Sequence, residues 1–485
     1  MIVRTTRRML ITLLLPLLLL VGVGAMTVDA DIAPAFIQVW TADGDANGDW
    51  FAYAVGTAGD VNGDGYADVI VGAPNDMYEI YREGVVYVYH GSAGGLTKSN
   101  LGADWIASSD QKGANFGAAV STAGDVNGDG YDDVIVGAKD YQNPSTTQGT
   151  HGAAFVFYGS PTGLALTPGW SLIGEQQNSN LGVAVSTAGD VNNDGYADVI
   201  VGANRYSNGQ TSEGLVQVFF GATDGLTTTP GWTFESNQAY TFLGEAVASA
   251  GDINGNGYDD IIVGAPGYNG AGAAYIFYGA ADGISTTHTI LYGAQSGARF
   301  GAAVSGAGDV NGDGYADILV GAPVYSSTYR SEGTVFVYLG SPSGVITTPQ
   351  RMLVGGSAWA KFGAAVGSAG DLDGDGYAEI VVGAPGYTDD QPAEGAVFLY
   401  LGTPAGVGAN PIWRSEGNKS ETLYGLSVGT AGDVNGDGHV DLIVGAPDYK
   451  TQGENKRGRA FVYHGTGNTG GYFAVYLPFV LRSNF

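Results

Sequence analysis

The chain contains no cysteine, which excludes disulfides, thiolate nucleophiles and cysteine-ligated zinc. Basic residues are few, 19 against 48 acidic ones, and the formal charge is −29. Such a surface repels nucleic acid and anionic lipid headgroups, so neither is an expected partner. The five histidines (His90, His151, His288, His439, His464) are scattered and fall in no nucleophile or zinc motif. No glycine-rich phosphate loop stands between a strand and a helix, and helical periodicity is confined to the N-terminal run. Beyond that run, no apolar stretch has the roughly 20 residues a spanning helix needs.

What is present points elsewhere. Glycine is abundant, at 82 residues, while only 14% of the chain is charged. Both numbers suit many short strands joined by tight turns. Arg4, Arg7 and Arg8 precede the apolar run Met9–Val23, with small residues at Ala25 and Ala30. Residues 1–30 therefore read as a cleavable export signal; an uncleaved anchor is the alternative. Residues 466–485 form a short tail whose apolar part is Tyr472–Leu481.

Between these ends lies one unit repeated seven times. From Phe116 it reads FGAAVSTAGDVNGDGYDDVIVGA, and relatives begin at Phe51, Leu181, Leu243, Phe300, Phe362 and Tyr424. The aspartates opening the acidic motif are spaced by 65, 65, 62, 57, 62 and 62 residues. That period fits a four-stranded blade with generous loops. Blade two shows the expected parse. A first strand, Ala118–Ser121, enters the acidic loop; Val134–Gly137, Ala154–Tyr158 and Trp170–Ile173 follow as second, third and fourth strands. Outer strands are also expected at Trp232–Glu235 and Trp413–Ser415. The seventh unit stops after its third strand, Ala460–His464, and Phe36–Thr41 resembles the missing fourth. The expected fold is all-β: a seven-bladed β-propeller over residues 31–465, its ring closed by an N-terminal strand that removes open sheet edges.

The acidic loops have the spacing of a cation site. In the first, Asp60, Asn62, Asp64 and Asp68 occupy positions one, three, five and nine, and Tyr66 offers its carbonyl at position seven. Alternate residues of a tight turn aim oxygens at one point, and the glycine at position six permits that turn. The other sets are Asp125, Asn127, Asp129, Tyr131 and Asp133; Asp190, Asn192, Asp194, Tyr196 and Asp198; and Asp252, Asn254, Asn256, Tyr258 and Asp260. Then come Asp309, Asn311, Asp313, Tyr315 and Asp317; Asp371, Asp373, Asp375, Tyr377 and Glu379; and Asp433, Asn435, Asp437, His439 and Asp441. A single such loop is also explained by Asx turns. Seven in one register are not. Oxygen-only ligands at flexible geometry select Ca²⁺ over zinc, copper or magnesium, with up to seven ions expected. Loop four holds two carboxylates and loop six four, so loop four should bind most weakly and loop six among the most tightly.

The pattern carried by Phe300-Gly301, Gly308–Asp317 and Gly321-Ala322-Pro323 resembles the FG-GAP repeat of integrin α-subunit propellers. The resemblance spans residues 31–465 and implies calcium in the hairpin between first and second strands. It departs from the pattern at Ala52, Lys139, Asn204 and Asn256. In integrins only some blades carry these loops, and here all seven do. The resemblance does not extend to integrin leg domains or membrane span, so receptor signalling is not carried over.

On the face opposite the calcium hairpins, the loops Asn75–Glu83, Lys139–His151, Asn204–Glu213, Val324–Glu332 and Asp448–Arg457 vary in length and composition. Variable loops on a rigid scaffold are where recognition usually sits. Six units place a tyrosine four residues after the glycine of the GA(P) segment: Tyr141, Tyr206, Tyr268, Tyr325, Tyr387 and Tyr449; blade one has Asp76 there. This ring has two readings, a ligand-stacking surface or packing within each blade. The expected function is calcium-dependent adhesion or ligand binding, secreted or at the cell surface, by a monomer with an extracellular protein or glycan partner. The alternatives are a secreted carbohydrate-active enzyme (a polysaccharide lyase or hydrolase) and a structural surface-layer component.

Overall fold

The structure is a computed structural model that describes residues 36–465 except 78–79, 100–101, 147–148 and 452–454. The expected signal and tail lie outside the described residues. Seven separate four-stranded antiparallel sheets form, one per repeat unit. Within blades one to six the strands pair in chain order, as with Ala54–Gly59, Asp68–Ala73, Val85–Tyr89 and Trp105–Ser108 in blade one. Tyr268–Gly270 forms a single 3₁₀ turn, and among the described residues no helix is long and apolar enough to cross a membrane.

The closure expected for the ring is present. Ile37–Asp43 pairs antiparallel with Arg459–His464 and becomes the fourth strand of the seventh sheet. Its aromatic partner explains why this strand fits. In blades one, two, three and six, a tryptophan opening the fourth strand packs edge-on against an aromatic of the next blade's third strand. Trp105 meets Phe157 at 4.9 Å and Trp170 meets Phe219 at 4.9 Å. Trp40 makes the same contact with Tyr89 of blade one, at 5.0 Å. The N-terminal strand thus carries the seam contact that the seventh unit lacks, and such a pair adds about 0.5–1.5 kcal/mol beyond its buried area.

The second strands are the hydrophobic centre. All six residues of Asp68–Ala73, and of its six counterparts, are buried. Their unbroken apolar runs suit strands covered on both faces by neighbouring blades. Each fully buried Val or Ile contributes roughly 1.5–3 kcal/mol. The first strands line a central channel whose wider part encloses about 620 Å³ among Gly, Ser, Thr, Val and Ala side chains.

The FG and GAP glycines meet across the blade seams. A Cβ on Gly137 would stand 2.1 Å from the carbonyl oxygen of Gly182, and one on Gly264 would stand 2.0 Å from that of Gly301. Backbone lies against backbone, so only glycine fits the GAP position. At the seam between blades seven and one, Gly445 meets Ala52, the departure noted in the sequence, and Ala52 sits at φ 62°.

Candidate metal loops and the opposite face

Each first strand ends in a bulge, such as the register shift between Thr57 and Gly59, that turns the chain into the acidic loop. The loop is then wound around its own carboxylates. Asp60 accepts the N–H groups of Gly63 at 2.7 Å, Asp64 at 3.1 Å and Gly65 at 2.8 Å. Asn62 Oδ1 accepts the Asp64 N–H at 2.9 Å, and Asp64 Oδ1 accepts the Tyr66 N–H at 3.1 Å. Asp125, Asn127 and Asp129 do the same before Tyr131, as do Asp309, Asn311 and Asp313 before Tyr315. Asp433, Asn435 and Asp437 repeat it before His439. In loop three, Asp190 and Asn192 accept the Asp194 N–H, Asp190 accepts that of Gly195 and Asp194 accepts that of Tyr196, with Asn193 taking the positive φ that glycine takes elsewhere.

Loops four and six differ in side-chain chemistry. In loop four Asp252 and Asn254 hold the Asn256 N–H, and Asn256 Oδ1 accepts from Tyr258. The Asn256 amide also donates outward, to the Gly279 carbonyl at 3.3 Å. In loop six, Asp371, Asp373 and Asp375 bring carboxylate oxygens within 4.8 Å of one another, ahead of Tyr377. Burial, then the neighbouring Asp375 charge, raises the Asp373 carboxyl above its ordinary range.

The ninth-position acid has a second task. Asp68 is fully buried; Oδ2 accepts the Val61 N–H at 3.0 Å and Oδ1 accepts the Gly91 N–H at 2.9 Å. It thereby ties the loop to the turn after the third strand. Asp133, Asp198, Asp260, Asp317, Glu379 and Asp441 make equivalent pairs of bonds. Burial outweighs these bonds and pushes the six aspartates up to about 7 and Glu379 up to about 8. These are groups whose ionised form lacks a compensating cation charge. A bound cation would supply it, so the donor set fits a hard divalent ion.

The loops are also chained to one another. The N–H of position eight donates to the carbonyl of position one in the preceding blade, as from Ala197 to Asp125 at 3.0 Å and from Ala67 to Asp433 at 3.0 Å. Position-seven tyrosines lie over the position-four glycine of the preceding loop; Tyr131 would sit 2.5 Å from a Cβ on Gly63. Sequence spacing shows neither link, because each partner lies a whole blade away.

On the opposite face the repeat tyrosines pack with one edge on the third strand. Tyr141 meets Phe155 at 5.4 Å, Tyr325 meets Phe336 at 6.1 Å, Tyr387 meets Phe398 at 5.5 Å and Tyr449 meets Phe461 at 5.4 Å, all edge to face. Tyr268 meets Tyr275 at 6.2 Å. Tyr206 packs against the same cluster as Val199 and Leu215. Five of the six remain half-buried, and Tyr449 is buried. Sequence reading missed a different feature of this face. Trp50, Tyr81, Tyr240, Tyr292, Tyr329 and Trp359 are the exposed large aromatic residues among those described. All lie in its loops or at strand ends that enter it.

Comparison with known proteins agrees with this geometry. A family model described as FG-GAP repeat matches residues 51–89, 116–151, 181–219, 243–277, 300–338, 362–400 and 424–463. Integrin alpha-4 of Xenopus laevis is 37% identical over 213 residues, covering 42% of this chain and 20% of the relative. Integrin alpha-5 of the same organism is 35% identical over 219 residues, covering 42% and 20%. Integrin alpha pat-2 of Caenorhabditis briggsae is 33% identical over 225 residues, covering 43% and 18%. The chain thus spans about a fifth of the length of these relatives. Seven matched units, each folded as one blade with its loop between first and second strands, place the chain in the FG-GAP repeat family.

Proposed function

We propose that this protein is a secreted or cell-surface recognition module whose hairpin loops take up Ca²⁺ and whose opposite face binds an extracellular protein or glycan. The division of chemistry between the two faces carries the reading. One face gathers carboxylates in seven wound turns; the other exposes six aromatic rings among the described residues. Position-one, position-three and position-five side chains, with the position-nine acid, would hold each ion, which supplies positive charge to a turn crowded with like charges. Its effect is to fasten the scaffold, since a ligand bound only by the native state adds directly to stability.

Exposed aromatic faces stack on sugar rings or anchor in pockets of a protein partner. Trp359 is already paired with the Arg330 guanidinium 4.7 Å above its ring, leaving a rigid, cationic-aromatic patch. The half-buried edges of Tyr206, Tyr325 and the other repeat tyrosines form the floor of this surface. Export by residues 1–30 and a tail at 466–485 belong to the same reading.

An array of glycans and extracellular matrix proteins, probed in calcium and in excess chelator, tests it. The expected result is a calcium-dependent ligand whose binding falls at least tenfold in Trp359→Ala/Tyr240→Ala, with the melting temperature unchanged. Equal binding by that variant, or a ligand retained in chelator, overturns the assignment of recognition to this face of a calcium-fixed scaffold.

A further inference from the structure

Blade one breaks the repeat at two neighbouring positions, both on the face opposite the acidic hairpins. Asp76 occupies the place of the six repeat tyrosines: its N–H closes the same turn onto Ala73, at 3.0 Å, that Tyr141 closes onto Ala138. Asp49 occupies a place held in the other blades by Ala114, Ser179, Thr241, Ala298, Ala360 and Thr422. The correspondence is fixed by a shared backbone bond, Asn75 N–H to Asp49 at 3.1 Å matching Asp140 N–H to Ala114 at 3.2 Å. Six small or hydroxyl residues and six tyrosines are thus replaced, in one blade only, by two acids.

The acids meet. Oxygens of Asp45, Asp49 and Asp76 lie within 4.8 Å of one another. Asp49 is 1% exposed and Asp76 3% exposed. Asp76 Oδ2 accepts the Tyr87 hydroxyl at 2.7 Å, and Asp49 Oδ2 accepts the Ala46 N–H at 2.6 Å. Asp49 Oδ1 is buried with no hydrogen-bond partner. Among the described residues no ion pair reaches any of the three. A buried carboxylate oxygen left without a donor costs stability unless something positive faces it. Burial is the first cause holding both the Asp49 and Asp76 carboxyls above their ordinary range; a side-chain hydrogen bond between Asp49 and Asp45 raises Asp49 further, and repulsion from Asp45 and Glu83 raises Asp76.

We propose that Asp45, Asp49 and Asp76 form a further divalent-cation site, distinct from the seven hairpin loops and built for an oxygen-seeking ion such as Ca²⁺. Asp45 is exposed, so water completes the coordination from the solvent side. The site lies at the ring's closing seam. The segment carrying Asp45 and Asp49 is held to the seventh blade by Gly48 N–H to Lys456 O at 2.8 Å and Lys456 N–H to the Asn47 side chain at 2.9 Å. Arg459 Nη2 donates to Asp43 at 2.8 Å just before it. Asp76 belongs to blade one. A cation shared by these acids ties the seventh blade to the first on the face the hairpin loops do not reach.

The experiment counts calcium bound by the full chain, by equilibrium dialysis with metal analysis, and follows amide exchange in residues 37–50. Asp49→Ala/Asp76→Tyr installs residues that other blades carry at these positions, so the blade has a template to fold on. Asp49→Asn is the isosteric check. The expected result is one ion fewer in the double variant, calcium protection of residues 37–50 lost, and affinity for that one ion lowered at least tenfold in Asp49→Asn. A double variant that melts as a folded propeller and binds as many ions as the parent overturns the proposal. So does a parent whose 37–50 exchange ignores calcium, the result expected if Asp45 and Asp49 merely share a proton. If the hairpin reading failed instead, the parent would bind a single ion and the double variant none, which separates the two failures.

Discussion

Asp132 holds Asp60 from both sides: it donates its N–H to the Asp60 carbonyl at 3.1 Å and accepts the Asp60 N–H on its own Oδ2 at 2.8 Å. The two residues are 72 apart in sequence and belong to neighbouring blades. Asp259 grips Asp190 in the same way, at 3.2 and 2.9 Å. Elsewhere position eight is Ala or Val, and where the backbone half is seen it stands alone. Two of the seven seams therefore carry an extra side-chain bond directly beneath a loop's first acid.

That bond gives the first prediction. Asp132→Ala removes it and installs the residue other blades use, so the backbone bond survives. The expected loss is about 1 kcal/mol, the net worth of one such hydrogen bond, read from urea unfolding in saturating calcium. No change in the unfolding midpoint would show that the side-chain grip is redundant.

The glycine contacts at the seams predict an asymmetry. Gly137→Ala pushes a methyl into the Gly182 carbonyl, where neither backbone can yield, and should cost roughly 2–3 kcal/mol. Ala52→Gly goes the other way, since Ala52 already stands at φ 62°. Relief of that left-handed strain should raise stability by about 0.5–1 kcal/mol. Calorimetry on both variants tests the pair.

The buried ninth-position acids predict an unusual pH profile for the calcium-free protein. Their carboxyls lie near 7 when folded, against about 3.9 for aspartate in an unfolded chain. The folded state then binds more protons than the unfolded one throughout that interval. Stability must fall as pH rises from about 4 to about 7 and level off above the folded values. In chelator, the melting temperature should be higher at pH 5 than at pH 7.5. Added calcium should restore it at pH 7.5, with protons released on binding. A calcium-free protein more stable at pH 7.5 than at pH 5 would contradict this account.

Loops four and six should mark the ends of the affinity range. Asp373→Asn gives loop six the composition of the common loops and should weaken its ion roughly tenfold, about 1.4 kcal/mol. Asn256→Asp should strengthen loop four by a similar factor, although it also removes the donor to Gly279. Calcium titration followed by calorimetry resolves both, because the altered ion leaves earlier than in the parent in the one case and later in the other.

The sequence by itself determined the blade count, the strand order and the positions of the acidic turns. These are local matters: a nine-residue loop winds around its own side chains, and the apolar run after it is long enough only for a strand. It also determined the closing strand, because Phe36–Thr41 carries Trp40 where other outer strands begin. The tertiary structure alone decided what happens between blades. Asp132 reads as one more acid until its partner Asp60 is seen. The repeat tyrosines recur in step with the blades in sequence, but only the fold shows five of them edge-on to third-strand aromatics and leaves Trp50, Tyr240 and Trp359 among the exposed rings. Asp45, Asp49 and Asp76 are unremarkable along the chain and converge because the fold lays the segment before the first strand against the loop after the second, through the bond from the Asn75 N–H to the Asp49 carbonyl. A pattern of short period is written in the chain; a contact whose partners are set by closing a ring is not.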